Sequence, residues 1–213
     1  YRDGTGEEQS YLKAVENYRL GANQGDGASQ NALGQMYSQA LGVELNHDEA
    51  LKWFKAAAEK GFVEAQFNLA TRYQTGNGVP QDDALAAKWL IQAAEQKHSR
   101  AQYELGLHYL TGKGVAKSEE KAFELLENSA YQGDRDAQYE LALLYRDGKG
   151  VTADPAYAYA WLKVAAVGGG LKIANERDKV LNSLTPEQLD QGQRLSDEIS
   201  QKLLSKEFGI PGL

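Results

Sequence analysis

A repeat of 36 residues, running through the sequence without a gap, constrains this chain more than any other feature. Four sets of residues hold the same register: Ala14, Ala50, Ala86, Ala122 and Ala158; Tyr1, Tyr37, Tyr73, Tyr109 and Tyr145; Leu33, Leu69, Leu105 and Leu141; and Gly6, Gly42, Gly78, Gly114 and Gly150. Self-similarity at this period marks a stack of supersecondary units, each covering its apolar face with its neighbour.

Within each unit the apolar spacing is helical twice over. Ala65, Leu69, Ala70 and Tyr73, with copies at Ala101 to Tyr109 and Ala137 to Tyr145, fall at i, i+4, i+5 and i+8, one face of an α-helix. A second stripe reads Ala86, Trp89, Leu90, Ala93 and Ala94, matched at Ala50 to Ala58 and Ala158 to Ala166. Small residues at fixed places let helices approach closely, and the large ones fill the space between units.

Punctuation agrees with this division. Gly76-Asn-Gly78-Val79 recurs as Gly112-Lys-Gly114-Val115 and Gly148-Lys-Gly150-Val151. The first glycine suits the position after a helix, where positive φ is wanted, and the valine is expected to enter the core. Asn46 with Glu49 reads as a capping pair, and Asp154-Pro155 puts proline in the first helical turn. Asp26 and Asp134, each after a glycine, close the short turns between units.

The period stops after Gly170. One helix is expected from Leu171 to Leu184, and Thr185-Pro-Glu-Gln188 opens a last one to about Lys206, striped by Leu189, Leu195, Ile199 and Leu203. The expected fold is therefore all-α, a solenoid of helix–turn–helix repeats at 1–25 (truncated), 26–61, 62–97, 98–133 and 134–170. Residues 171–213 form its C-terminal cap. Tyr1 falls where the last turn of a first helix is expected, which predicts further sequence before it.

These motifs, in this order, resemble the Sel-one-like repeat family, a longer-looped relative of the tetratricopeptide repeat. The resemblance covers residues 1 to about 170. Departures are local: Ala40 stands for a loop glycine, Lys97 for a turn glycine and Leu125 for the helix tryptophan. What the resemblance implies is a right-handed superhelix whose first helices line a concave groove, used by a non-catalytic adaptor in protein complexes. It also implies a bacterial protein in a periplasmic or secreted setting. A Cys-rich branch of the family is linked to β-lactam binding; this chain has no cysteine, and that activity is not carried over.

Tetratricopeptide relatives contact ligands through fixed first-helix positions. Carried onto this sequence they are Phe67, Thr71 and Gln74, then Arg100, Tyr103, Leu107 and Leu110, then Asp136, Tyr139, Leu143 and Arg146. Phe67, Tyr103 and Tyr139 would form an aromatic ladder with leucines beside it and charges at the rim, the character of an interface centre. The competing reading packs those rings against the preceding repeat. The expected partner is a protein or peptide, with a glycan strand as one alternative and a docking role for a larger enzyme as another.

Other classes fit less well. The net charge of −7 and pI near 5.1 argue against nucleic acid, which needs clustered Lys and Arg. No run of about 18 apolar residues is present to insert in a membrane. No catalytic residue, metal or cofactor is expected. His47, His98 and His108 lack partners at ligand spacing and read as solvated or interface residues. The glycine pair lacks a third glycine and a preceding strand. Glu119-Glu120 and Asp82-Asp83 complement helix N-termini, and Trp53, Trp89 and Trp161, recurring near the period, read as core.

Overall fold

The structure, a computed structural model, describes residues 11–208. The expected places of Tyr1 and Gly6, in the first ten residues of the truncated first repeat, lie outside the described residues. Among those described every regular element is an α-helix, eleven in all. They divide into two compact units, residues 1–98 and 99–213.

The first unit contains α1 (Tyr11–Asn23), α2 (Gly27–Gln39), α3 (His47–Glu59), α4 (Val63–Thr75) and α5 (Asp83–Glu95). The second contains α6 (Ser99–Thr111), α7 (Glu119–Ala130), α8 (Arg135–Asp147), α9 (Pro155–Ala165), α10 (Gly170–Leu181) and α11 (Pro186–Phe208). Even-numbered α2 to α8 are the first helices of their repeats and the following odd-numbered helices the second, so the 36-residue pattern becomes a series of helical hairpins.

Each hairpin is closed by one repeated device. The N–H groups of Asn46, Asp82, Ser118 and Asp154 donate to the carbonyls of Tyr37, Tyr73, Tyr109 and Tyr145 at 2.9–3.0 Å. The same four residues turn their side chains forward to accept from the first turn of α3, α5, α7 and α9. One residue thus ends the loop and caps the next helix, a cap being worth about 1 kcal/mol. Asp26 and Asp134 cap α2 and α8 in the same way. Thr185 and Gln188 bond reciprocally at the start of α11.

The repeated alanines and leucines are the core. Ala65, Leu69, Ala86, Leu90, Ala137, Leu141, Ala158 and Leu162 have no exposed surface. Burying one such leucine contributes roughly 1.5–3 kcal/mol. Trp161 is buried, while Trp53 and Trp89 are half-buried at the edges of their clusters. Val43, Val79 and Val151 pack partly buried against the same clusters.

Two expectations are corrected. The helix from Leu171 ends at Leu181 rather than Leu184: Asn182 takes the C-cap position and the Ser183 hydroxyl turns back to the Val180 carbonyl. His108 is not solvated but buried, and its Nδ1 lies 2.7 Å from the Lys113 carbonyl, pinning the loop after α6. One further feature carried by the period is the glutamine after each first-helix alanine, which turns inward. Gln30, Gln66 and Gln138 are buried and donate to the last-turn carbonyls of Ala22, Ala58 and Ala130 in the preceding helix. Each of these carbonyls also accepts the N–H of the glycine three residues on, Gly25, Gly61 or Gly133, so the glutamine is a second donor that ties the next helix to the turn.

The cap differs from a repeat. Both α10 and α11 pack on α9. Ala156, Tyr159 and Ala160 are buried there, where the corresponding α3 residues Asp48 and Lys52 are exposed. Gly192 lets α11 come close enough that a Cβ would stand 2.8 Å from the Tyr159 ring.

Candidate functional site

In the second unit the first helices are neighbours, tied by ion pairs between them. Arg100 of α6 reaches Asp136 of α8 at 2.7 Å and Asp134 at 3.5 Å. Arg146 of α8 pairs with Glu176 of α10 and with its neighbour Asp147 at 2.6 Å. Such partly exposed pairs contribute little stability one at a time. Their effect is to fix the position of the side chains.

The sequence-predicted positions on these helices come together as one surface. Tyr103, Leu107, Leu110, Tyr139 and Leu143 are all half-buried, Asp136 and Arg146 are exposed, and Arg100 lies between. Tyr103, Leu110 and Tyr139 pack on the core with one side. Each tyrosine carries a cation on its ring. The Arg100 guanidinium is 4.5 Å from the Tyr103 ring centre, and Lys172 Nζ is 4.4 Å from that of Tyr139. Burial, with Asp136, Glu140 and Glu104 nearby and Arg100 opposing, pushes the Tyr103 hydroxyl up to about 12.

Leu110 and Leu143 also wall a cleft of about 170 Å³, completed by Leu144, Glu140, Asp147, Lys149, Lys117 and Glu119. Lys117 is held by Glu119 at 3.1 Å and Lys149 by Asp147 at 3.2 Å. Burial pushes the Glu140 carboxyl above the usual carboxylate range, opposed by Lys172 and Lys149 and reinforced by Asp136.

The first unit carries Phe67, Thr71 and Gln74 on α4, all half-buried. Phe67 stacks on His98 at 4.8 Å between ring centres, and burial lowers the imidazole pKa. The Thr71 hydroxyl donates to the Phe67 carbonyl of its own helix. Asn68 of α4 donates to Asn31 of α2 at 2.9 Å, so this face is more polar than that of the second unit.

Sequence reasoning passed over Glu140, Lys172 and Glu176. Glu140 follows Glu104 by one repeat period, the single hint that its position faces the neighbouring first helix as Asn68 faces Asn31. Among the described residues, no helix is long and apolar enough to cross a membrane. No group of three or more His, Cys, Asp or Glu among them is placed to hold a metal ion.

Helical hairpins in tandem, with caps, loop glycines and first-helix faces recurring every 36 residues, define an all-α solenoid repeat protein. The Sel1 repeat model matches residues 1–26, 27–62, 63–98, 99–134 and 135–169, and the chain belongs to the Sel1 repeat family. Members of this family are typically protein-interaction scaffolds.

Among solved structures, the chain is similar to a protective antigen present in uropathogenic Escherichia coli strains displaying an SLR fold. Identity is 30%, the TM-score 0.86, and coverage 100% of this chain and 46% of that one. A Sel1 repeat protein from Oxalobacter formigenes matches at 33% identity and TM-score 0.76 over 83% of this chain and 52% of its own. The chain therefore spans about half the length of these relatives. An immunity protein from Pseudomonas aeruginosa shares the fold at 20% identity and TM-score 0.50, over 94% of this chain and 76% of its own. No curated protein compared with the chain matches it.

Proposed function

We propose that this chain is a non-catalytic adaptor that holds a protein or peptide partner against its first-helix faces. In the second unit the contact residues are Arg100, Tyr103, Leu107, Leu110, Asp136, Tyr139, Leu143 and Arg146. In the first unit they are Phe67, Thr71 and Gln74.

The observation that carries this reading is the surface of α6 and α8. Five large apolar side chains stand half-exposed along α6 and α8, three of them (Tyr103, Leu110 and Tyr139) braced from one side by the core, with paired charges at the rim. Rings held in place by cations lose little side-chain freedom when a partner covers them, so their apolar area converts efficiently into binding. The scaffold habit of Sel1 repeats points the same way. A sugar strand fits less well: stacking on a pyranose needs an open ring face, and Arg100 and Lys172 lie over Tyr103 and Tyr139.

Affinity capture from source-cell lysate tests this, comparing wild type with a Tyr103→Ala, Tyr139→Ala double variant of unchanged helicity. Glu124→Ala on the exposed side of α7 is the control. A partner kept by wild type and control and lost by the double variant is the expected result. Capture indifferent to the double variant sinks the assignment.

A further inference from the structure

We infer, building on the first-helix reading above, that the second unit selects a peptide in which a lysine or arginine accompanies aliphatic residues, its basic head seated at Glu140. In the cleft beside Leu110 and Leu143 an apolar wall meets an acid that is in no ion pair with the lysines near it. Its two lysines are each paired, Lys117 with Glu119 and Lys149 with Asp147. On the neighbouring face Arg100 is shared by Asp134, Asp136 and Glu104, and Arg146 by Asp147 and Glu176. Glu140 is half-buried between the helices and faces Lys172, Lys149 and Asp136 without an ion pair to any of them.

The shape and chemistry of the cleft agree. A long basic side chain lays its methylenes on Leu110 and Leu143 and carries its charge inward, as such residues do wherever an apolar wall ends in an acid. A hydrated metal ion would find no use for the leucines. An acidic peptide would meet Glu140 and Asp136 first, while the cations nearby are occupied by carboxylates or, for Lys172, lie over the Tyr139 ring. The raised pKa of Glu140 fits a carboxylate that gains from an incoming cation, because the added positive charge offsets the cost that burial places on its charged form.

The test is selection of a phage-displayed random peptide library on the immobilised full chain. Fluorescence anisotropy of the enriched peptides then follows with wild type, Glu140→Gln and the Tyr103→Ala, Tyr139→Ala variant. The isosteric Glu140→Gln keeps the packing, and unchanged helicity confirms that it folds. Enriched peptides are expected to carry a lysine or arginine next to aliphatic residues and to weaken about tenfold with Glu140→Gln, the effect of one charge-assisted hydrogen bond. Replacing that lysine by norleucine should cost wild type a similar factor and cost the Gln variant little. Peptides without a basic residue, weakened by the tyrosine variant but not by Glu140→Gln, overturn this inference and leave the first-helix reading standing. Peptides indifferent to both variants, or no enrichment at all, overturn both.

Discussion

Replacing Gly150 with alanine tests the loop geometry on which the hairpins depend. Gly150 has φ of 68°, and a Cβ added to it would stand 2.1 Å from the Glu119 carbonyl oxygen and 2.4 Å from its carbon. Two costs should therefore add. Holding a non-glycine residue in the left-handed region costs roughly 1–2 kcal/mol. Forcing the loop off the start of α7 is an overpacking event costing about 1–3 kcal/mol more, because both partners are main chain and cannot rotate away. Gly133 isolates the first cost: its φ is 91° and an added Cβ meets nothing within 4 Å. Urea unfolding followed by helical circular dichroism should place Gly133→Ala about 1–2 kcal/mol below wild type and Gly150→Ala about 2–5 kcal/mol below it. Equal losses in the two variants would mean that the loop does not rest on α7 as described, and the argument would fall.

Three further expectations rest on single contacts. Gln138→Leu should cost about 0.5–1.5 kcal/mol in the same assay, because one buried hydrogen bond to the Ala130 carbonyl is lost while the Gly133 N–H still reaches it; a loss within error would show that the amide adds nothing to the turn. Lys97→Gly and Ala40→Gly should each gain up to about 1 kcal/mol, since both residues are held at positive φ, 63° and 55°; a loss at either would mean the side chain contributes more than its backbone costs. Glu140→Gln should melt close to wild type near about pH 4 and above it near about pH 7. The raised pKa of Glu140 makes its contribution fully favourable below the unfolded value and loses it as pH rises through the folded one. A difference independent of pH would remove burial as the cause.

The hairpins were legible because each device repeats. Asn46, Asp82, Ser118 and Asp154 occupy one position, and a short polar side chain there can cap a helix whatever surrounds it. Apolar period and small-residue placement likewise identified the core without knowledge of neighbours. The glutamines were missed for the opposite reason. Their burial follows from a carbonyl that ends another helix, and a polar residue beside an apolar stripe looks the same in sequence whether it faces water or a backbone acceptor. The cations over the Tyr103 and Tyr139 rings were not legible. Lys172 sits in the cap, outside the repeat, and nothing in the spacing links it to Tyr139. The end of α10 failed for a local cause, a serine hydroxyl returning to its own helix.

The burial of α9 under α11 bears on how such an array can lengthen. Internal second helices such as α3 present charged residues outward and ask nothing of that side, so a unit of this kind can be duplicated beside itself without leaving a bare surface. The unit containing α9 cannot. Ala156, Tyr159 and Ala160 are matched to α11 and to Gly192 within it, and a second copy would expose them to water. A hairpin built like the upstream ones can therefore stand beside another without a cover, whereas this last hairpin and its cover work as one packing unit.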